Sequence, residues 1–256
     1  MNNLKRKFLL RQPIYDFLNM SGKLPELVNL VDITKAIKLV VKDRPQSNEL
    51  IDQCPIADDD LVQRVKLIYN YLHPSKEIKI LFVGDDDLTS AVIGKTSQLA
   101  LTVIDIDKKI LSTIKKHSKK NLANLINANI LDIVDGNVED PLSGKFDTFV
   151  TDPPYTEMGY KYFLNYGIKH IKMGGLAFIA IPYMNMENWT DELLFKTEDF
   201  LLQNGFVIVE IIPGFAEYQH EDKVLSSMIV AKKVTISKKI KNNLKRTKTY
   251  TTNFEL

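Results

Sequence analysis

A chain of 256 residues with 45% hydrophobic side chains can bury one α/β core with a small appendage, which excludes both a disordered protein and a pair of large domains. Its formal net charge of +2 is too near neutral to argue for nucleic acid. The single cysteine, Cys54, cannot close an internal disulfide, no charged-then-apolar leader opens the chain, and no apolar run nears the ~18 residues of a membrane span; the expectation is a soluble, cytoplasmic protein.

Residues 1–75 read as a mainly helical segment. Ile14-Tyr15-Asp16-Phe17-Leu18 and residues 24–41 space their apolar positions as helices do. Asp43-Arg44-Pro45-Gln46-Ser47-Asn48 reads as a turn. Asp58 is placed to cap a helix over 59–72, and His73-Pro74-Ser75 stops it. From residue 76 to 236 strands and helices alternate. Strands are predicted at 78–83, 100–106, 146–151, 177–182, 206–212 and 226–234, and helices at 88–96, 108–126, 159–173 and 192–204. Met173-Gly174-Gly175 and Gln203-Asn204-Gly205 read as helix stops. The alternation predicts an α/β, Rossmann-like fold with a doubly wound, mostly parallel sheet and late strands that run antiparallel. Residues 237–256 form a lysine-rich tail expected to be solvated.

Two acidic motifs carry the chemistry. Gly84-Asp85-Asp86-Asp87 follows the first strand, where nucleotide-binding folds place a glycine-rich turn that receives an anion. One glycine followed by three carboxylates is suited to a cation instead. Asp105, about 20 residues past Gly84, stands where a carboxylate grips ribose hydroxyls. A solvent-facing aspartate would look the same there, and Asp107 is an equal candidate. Asn137 and Val138 could meet an adenine ring, but an asparagine here is as readily an ordinary turn former.

Asp152-Pro153-Pro154-Tyr155 ends the strand before the next helix, at the edge where open α/β sheets bind ligands. Two prolines leave a rigid backbone with carbonyls and no N–H to donate. A carboxylate, exposed carbonyls and an aromatic face suit a nitrogen nucleophile. His117, His170 and His220 lack metal-ligand spacing, so no metal is expected.

Val83-Gly84-Asp85-Asp86-Asp87-Leu88-Thr89-Ser90, Thr151-Asp152-Pro153-Pro154-Tyr155-Thr156 and the upstream Asp52-Gln53 with Arg64 resemble the branched-chain polyamine synthase family, over residues 44–234. The resemblance implies a methyltransferase-like fold and transfer of aminopropyl groups from decarboxylated S-adenosylmethionine to the central amine of spermidine. It implies a catalytic pocket made by Asp85, Asp86, Asp87 and residues Asp152 to Thr156, with Asp105 on the ribose and a small polyamine as partner. On this reading Asp85 or Asp152 takes the proton and Tyr155 packs on the carbon chain. Asp86, Asp87 and Glu157 anchor ammonium groups, and Pro153, Pro154 and Thr156 contact the substrate. Residues 1–75 are shorter than the winged-helix domain usual in the family, and Asn137 stands where aspartate is common. Homodimerisation is left open. The rival reading is an S-adenosylmethionine-dependent amino methyltransferase acting on nucleic acid or protein, whose pocket must seat a carboxylate that three aspartates repel. A non-catalytic nucleic-acid binder is a further rival, opposed by the scattered distribution of lysines in the N-terminal helices.

Overall fold

The computed structural model describes residues 30–72, 77–120, 122–183, 188–219, 224–236, 246 and 249–253. The expectations for Ile14 to Leu18, for the stop at His73-Pro74-Ser75, for His220 and for most of the basic tail lie outside them.

Two helices precede the sheet. In α1 (Leu30–Val41), Ile33, Ala36, Ile37 and Val40 form one buried stripe at helical spacing. In α2 (Asp58–Leu72), Leu61, Val65, Ile68 and Leu72 do the same, and three aspartates occupy its first turn, complementing the positive end of the helix. The sheet holds β1 (Lys79–Val83), β2 (Ala100–Asp105), β3 (Ala123–Asn127), β4 (Phe146–Thr151), β5 (Ile171–Pro182), β6 (Phe206–Glu217) and β7 (Leu225–Lys233), in the order β3-β2-β1-β4-β5-β7-β6. The first five strands run parallel, and β7 inserts antiparallel between β5 and β6.

Alternate residues of β1 face opposite sides, and both sides are buried. Ile80 and Phe82 join the core beneath α1, α2, α3 (Thr89–Thr96) and α4 (Lys108–His117). Leu81 and Val83 join the core beneath α5 (Ile130–Val134), α6 (Glu157–His170) and α7 (Asn188–Gln203). Residues 30–72 therefore share a core with the sheet. The antiparallel bridge between Ile56 and Tyr218 ties the segment before α2 to the end of β6.

The structure corrects the helix expected over 108–126. It ends at His117, and β3 pairs with β2 through Leu101↔Ala123 to Asp105↔Asn127. The apolar spacing of Ile110, Leu111 and Ile114 runs on into Leu122, Leu125 and Ile126, so local periodicity hides a strand defined by its neighbour. β6 likewise continues past 212, through Gly214 at φ 59°, with register shifts against β7.

Candidate functional site

The sheet reverses its winding between β1 and β4, which are neighbours, with Val83 paired to Thr151. The two acidic motifs leave these strands side by side at the carboxyl edge, where such sheets hold ligands. Gly84 adopts φ 71°, and a Cβ there would stand 3.3 Å from the Phe163 ring, so glycine suits both the conformation and the space. Asp85 is buried. Its N–H donates to Asp105 Oδ2 at 3.0 Å, and its own Oδ2 accepts from Ser90 N–H at 3.0 Å at the start of α3. Burial pushes its proton affinity well up against those bonds, with Asp87 and Asp105 adding to the rise. Leu88, the residue just before α3, is a leucine in the left-handed region at φ 63°, so the turn beside the site is strained.

Asp105 and Asp107 separate by role. Asp105 lines the cleft and also accepts from Asp107 N–H at 2.7 Å. Asp107 caps α4 by accepting from Lys109 N–H at 2.8 Å and takes the Gln53 amide at 3.2 Å.

Two compartments meet here. One, about 560 Å³ including its open mouth, runs along Gly84, Asp105, Ile106, Ala128, Ile130 and Phe163. The other, about 1110 Å³ including its mouth, is walled by Glu49, Cys54, Pro153, Tyr155, Tyr218 and Gln219. Asp52, Gln53, Asp86, Asp152 and Pro154 border both. Neither wall includes a lysine or arginine among the described residues. Asp86 accepts the Cys54 N–H at 3.0 Å. Its proton affinity is raised by burial, then by Asp87 and Asp152. The same acids, after burial, push the Cys54 thiol up to about 11.

Asp152 accepts from the Tyr218 hydroxyl at 2.8 Å and from Arg64 Nη2 at 3.0 Å. Burial raises its pKa to about 6, against the pull of Arg64. The Tyr155 and Tyr218 hydroxyls meet at 2.6 Å, with their rings edge to face at 5.8 Å.

Other expected residues sit elsewhere. Asp87 accepts from Ile56 N–H at 2.6 Å and pairs with Arg64, so its carboxylate is engaged inside the protein. Asn137 and Val138 are exposed in the turn after α5 and line neither compartment; the residues directly after β3, Ala128, Asn129 and Ile130, line the smaller one. The displacement follows from β3: the loop after it begins at Ala128, nine positions before Asn137. Glu157 pairs with Lys161 at 2.6 Å and Lys196 at 2.8 Å, at a separate small cavity. Thr156 caps α6 by accepting Gly159 N–H at 2.9 Å and donates to the Thr249 carbonyl at 2.6 Å.

The tail contributes as well. Thr251 donates through its N–H and hydroxyl to Asp52 at 2.8 and 2.5 Å, and Tyr250 lines the smaller compartment. No local signal marks Tyr218 or Tyr250 as site residues. The loop 128–130 was hidden together with β3, whose apolar spacing also fits a helix.

In fold the chain is similar to the branched-chain polyamine synthase from Thermus thermophilus, solved in complex with N4-aminopropylspermidine and 5'-methylthioadenosine: TM-score 0.70 at 19% identity, covering 83% of this chain and 67% of that one. A putative RNA methyltransferase from Pyrococcus horikoshii gives a TM-score of 0.58 at 11% identity, covering 79% of this chain and 100% of that one, which supports the methyltransferase-like Rossmann fold. In sequence the chain is 30% identical to the N(4)-bis(aminopropyl)spermidine synthase of Thermococcus kodakarensis over 80% of this chain and 58% of that protein. It is 29% identical to the Methanocaldococcus jannaschii protein of the same name, over 77% of this chain and 56% of that protein. The chain thus spans about half the length of the curated relatives it matches. Residues 32–255 match the family model of the branched-chain polyamine synthase A C-terminal domain, and the chain belongs to that family.

Proposed function

We propose that the protein transfers an aminopropyl group from decarboxylated S-adenosylmethionine to an amine of a polyamine such as spermidine. The observation that carries this reading is the acidic junction: Asp52, Asp86 and Asp152 border both compartments, and no cationic side chain lies in either wall among the described residues. The names of the curated relatives point the same way.

The smaller compartment takes the nucleoside, with Asp105 on the ribose and Ala128 and Ile130 against the adenine. The larger takes the acceptor, with Glu49 and Asp52 pairing its ammonium groups. The nitrogen attacks the carbon next to the sulfonium. A C–N bond forms, the C–S bond breaks, and its electron pair stays on sulfur to leave neutral methylthioadenosine. The proton leaves the nitrogen for a carboxylate. Asp152 and Asp86 stand at the junction for that role, whereas Asp85 is engaged by Ser90 at the start of α3. No covalent enzyme intermediate is needed, so holding two reactants in line supplies much of the acceleration, up to roughly 7–11 kcal/mol for well-oriented groups.

The test is mass spectrometry of purified protein incubated with either S-adenosylmethionine or its decarboxylated form and a panel of linear amines. A polyamine gaining aminopropyl units from the decarboxylated donor supports the reading. Methyl transfer, or no product from any pair, overturns it.

A further inference from the structure

Arg64 lies on α2, outside both motifs, yet its guanidinium reaches each of them. Nη1 pairs with Asp87 after β1, and Nη2 with Asp152 after β4 at 3.0 Å. The Arg64 side chain is 4% exposed, so both contacts are made away from bulk water. Burial works against its charge, but Asp87 and Asp152 outweigh that and hold it cationic. The planar guanidinium presents its donors in a fixed fork, so one residue can serve two carboxylates from different loops. A lysine at the same place is a single point charge. The other ends of the bridge are also tied down: Asp87 by Ile56 N–H at 2.6 Å, and Asp152 by the Tyr218 hydroxyl at 2.8 Å.

We infer that Arg64 is a positioning residue that locks the loop after β1 to the loop after β4 and so aims the Asp152 carboxylate into the acceptor compartment. The inference rests on the proposed aminopropyl transfer. The groups facing Asp152 are Arg64 from α2, Asp86 and Asp87 from the loop after β1, Tyr155 on its own loop, Tyr160 on α6, Tyr218 after β6 and Cys54 ahead of α2. Arg64 is the one cation in this set. Without its fork, Asp87 and Asp152 face one another unscreened, and Asp152 has less reason to ionise.

The experiment follows Asp152 by NMR of ¹³C-aspartate-labelled protein with methylthioadenosine bound, its resonance assigned by its loss in Asp152→Asn. The pH profile of kcat is measured in parallel. In Arg64→Lys, whose single ammonium cannot reach both carboxylates at once, the Asp152 midpoint and the acid limb of kcat are both expected to rise by about one pH unit, the low end of the shift a charge partner produces, since a cation stays nearby. Expected with this is a roughly tenfold or larger fall in kcat, with methylthioadenosine affinity and polyamine KM little changed. If Arg64→Lys does not fold, Arg64→Met combined with Asp87→Asn removes one charge of each sign; because Arg64 lowers the Asp152 midpoint more than Asp87 raises it, a smaller upward shift is expected. A folded variant with wild-type midpoint and limb overturns the inference, whether or not its melting temperature falls, because that outcome is purely structural. Should the wild-type protein transfer no aminopropyl group, the functional reading fails by itself, while the NMR midpoint still decides whether Arg64 holds Asp152.

Discussion

Val83 and Thr151 are register partners on adjacent parallel strands, and the Thr151 hydroxyl donates to the Val83 carbonyl at 2.8 Å. Because both strands end together, Gly84 and Asp152 leave the sheet as neighbours, although 67 residues of chain separate them. The acidic turn and the Asp152 carboxylate therefore share one junction, which is what the proposed in-line displacement requires.

Asp152→Asn is expected to lower turnover by ~10²–10⁴-fold, the usual effect of losing a general base. Asparagine keeps the acceptor oxygen for Tyr218 and Arg64, so methylthioadenosine affinity should hold. Steady-state kinetics with calorimetry checks both; near-wild-type turnover at saturating amine would remove Asp152 from this role.

The acid limb of the rate should be set by a carboxylate, since none of the described residues lining either compartment is a histidine. With the Asp152 pKa raised to about 6, mainly by burial, the group holds its proton below that value and accepts one above it. Rate should climb through about pH 6 and continue upward as more of the amine becomes neutral. The stability sign is opposite. Between the ordinary carboxylate range and about 6 the native state binds more protons than the unfolded chain, so rising pH lowers the stability of the free protein. Melting of wild type against Asp152→Asn at pH 5 and 7 measures it. Wild type should lose ground at pH 7 and recover when a polyamine is added.

Asp105→Ala should weaken methylthioadenosine binding without altering acceptor choice. Asp107→Ala should instead cost about 0.5–2 kcal/mol of stability through the lost α4 cap, with nucleoside affinity nearly unchanged. Calorimetry and denaturant unfolding on the pair separate the roles, and a reversed pattern would exchange them.

Donor choice tests the acidic turn. Decarboxylated S-adenosylmethionine lacks the one negative group that Asp86 would repel and keeps the ammonium. At an effective dielectric of ~20 and about 4 Å, one such charge interaction is worth about 4 kcal/mol before desolvation. A third of that favours the decarboxylated donor by roughly tenfold. Asp86→Asn should narrow the preference. Tighter binding of the intact donor to the wild-type protein would promote the methyltransferase reading.

Local sequence determined a good deal. The buried run ending at Val83, the lone glycine before three aspartates, and the two prolines after Asp152 name their own strands and turns, because backbone freedom and side-chain period act over a few residues. Helix α2 was legible from its early acids and apolar stripe, although Asp58 stands inside its first turn rather than capping it. Only the tertiary structure decided which carboxylates face a ligand. Asp85, Asp86 and Asp87 are consecutive, yet Asp85 holds the start of α3 while lining the smaller compartment, Asp86 borders both compartments, and Asp87 pairs with Arg64. β3 was hidden for the same reason, as its apolar spacing also fits a helix and its partner strand β2 settles the matter. The Arg64–Asp152 and Tyr218–Asp152 contacts join residues 88 and 66 positions apart. Such pairs form when sheet order and helix packing bring distant segments together, and no local periodicity encodes them.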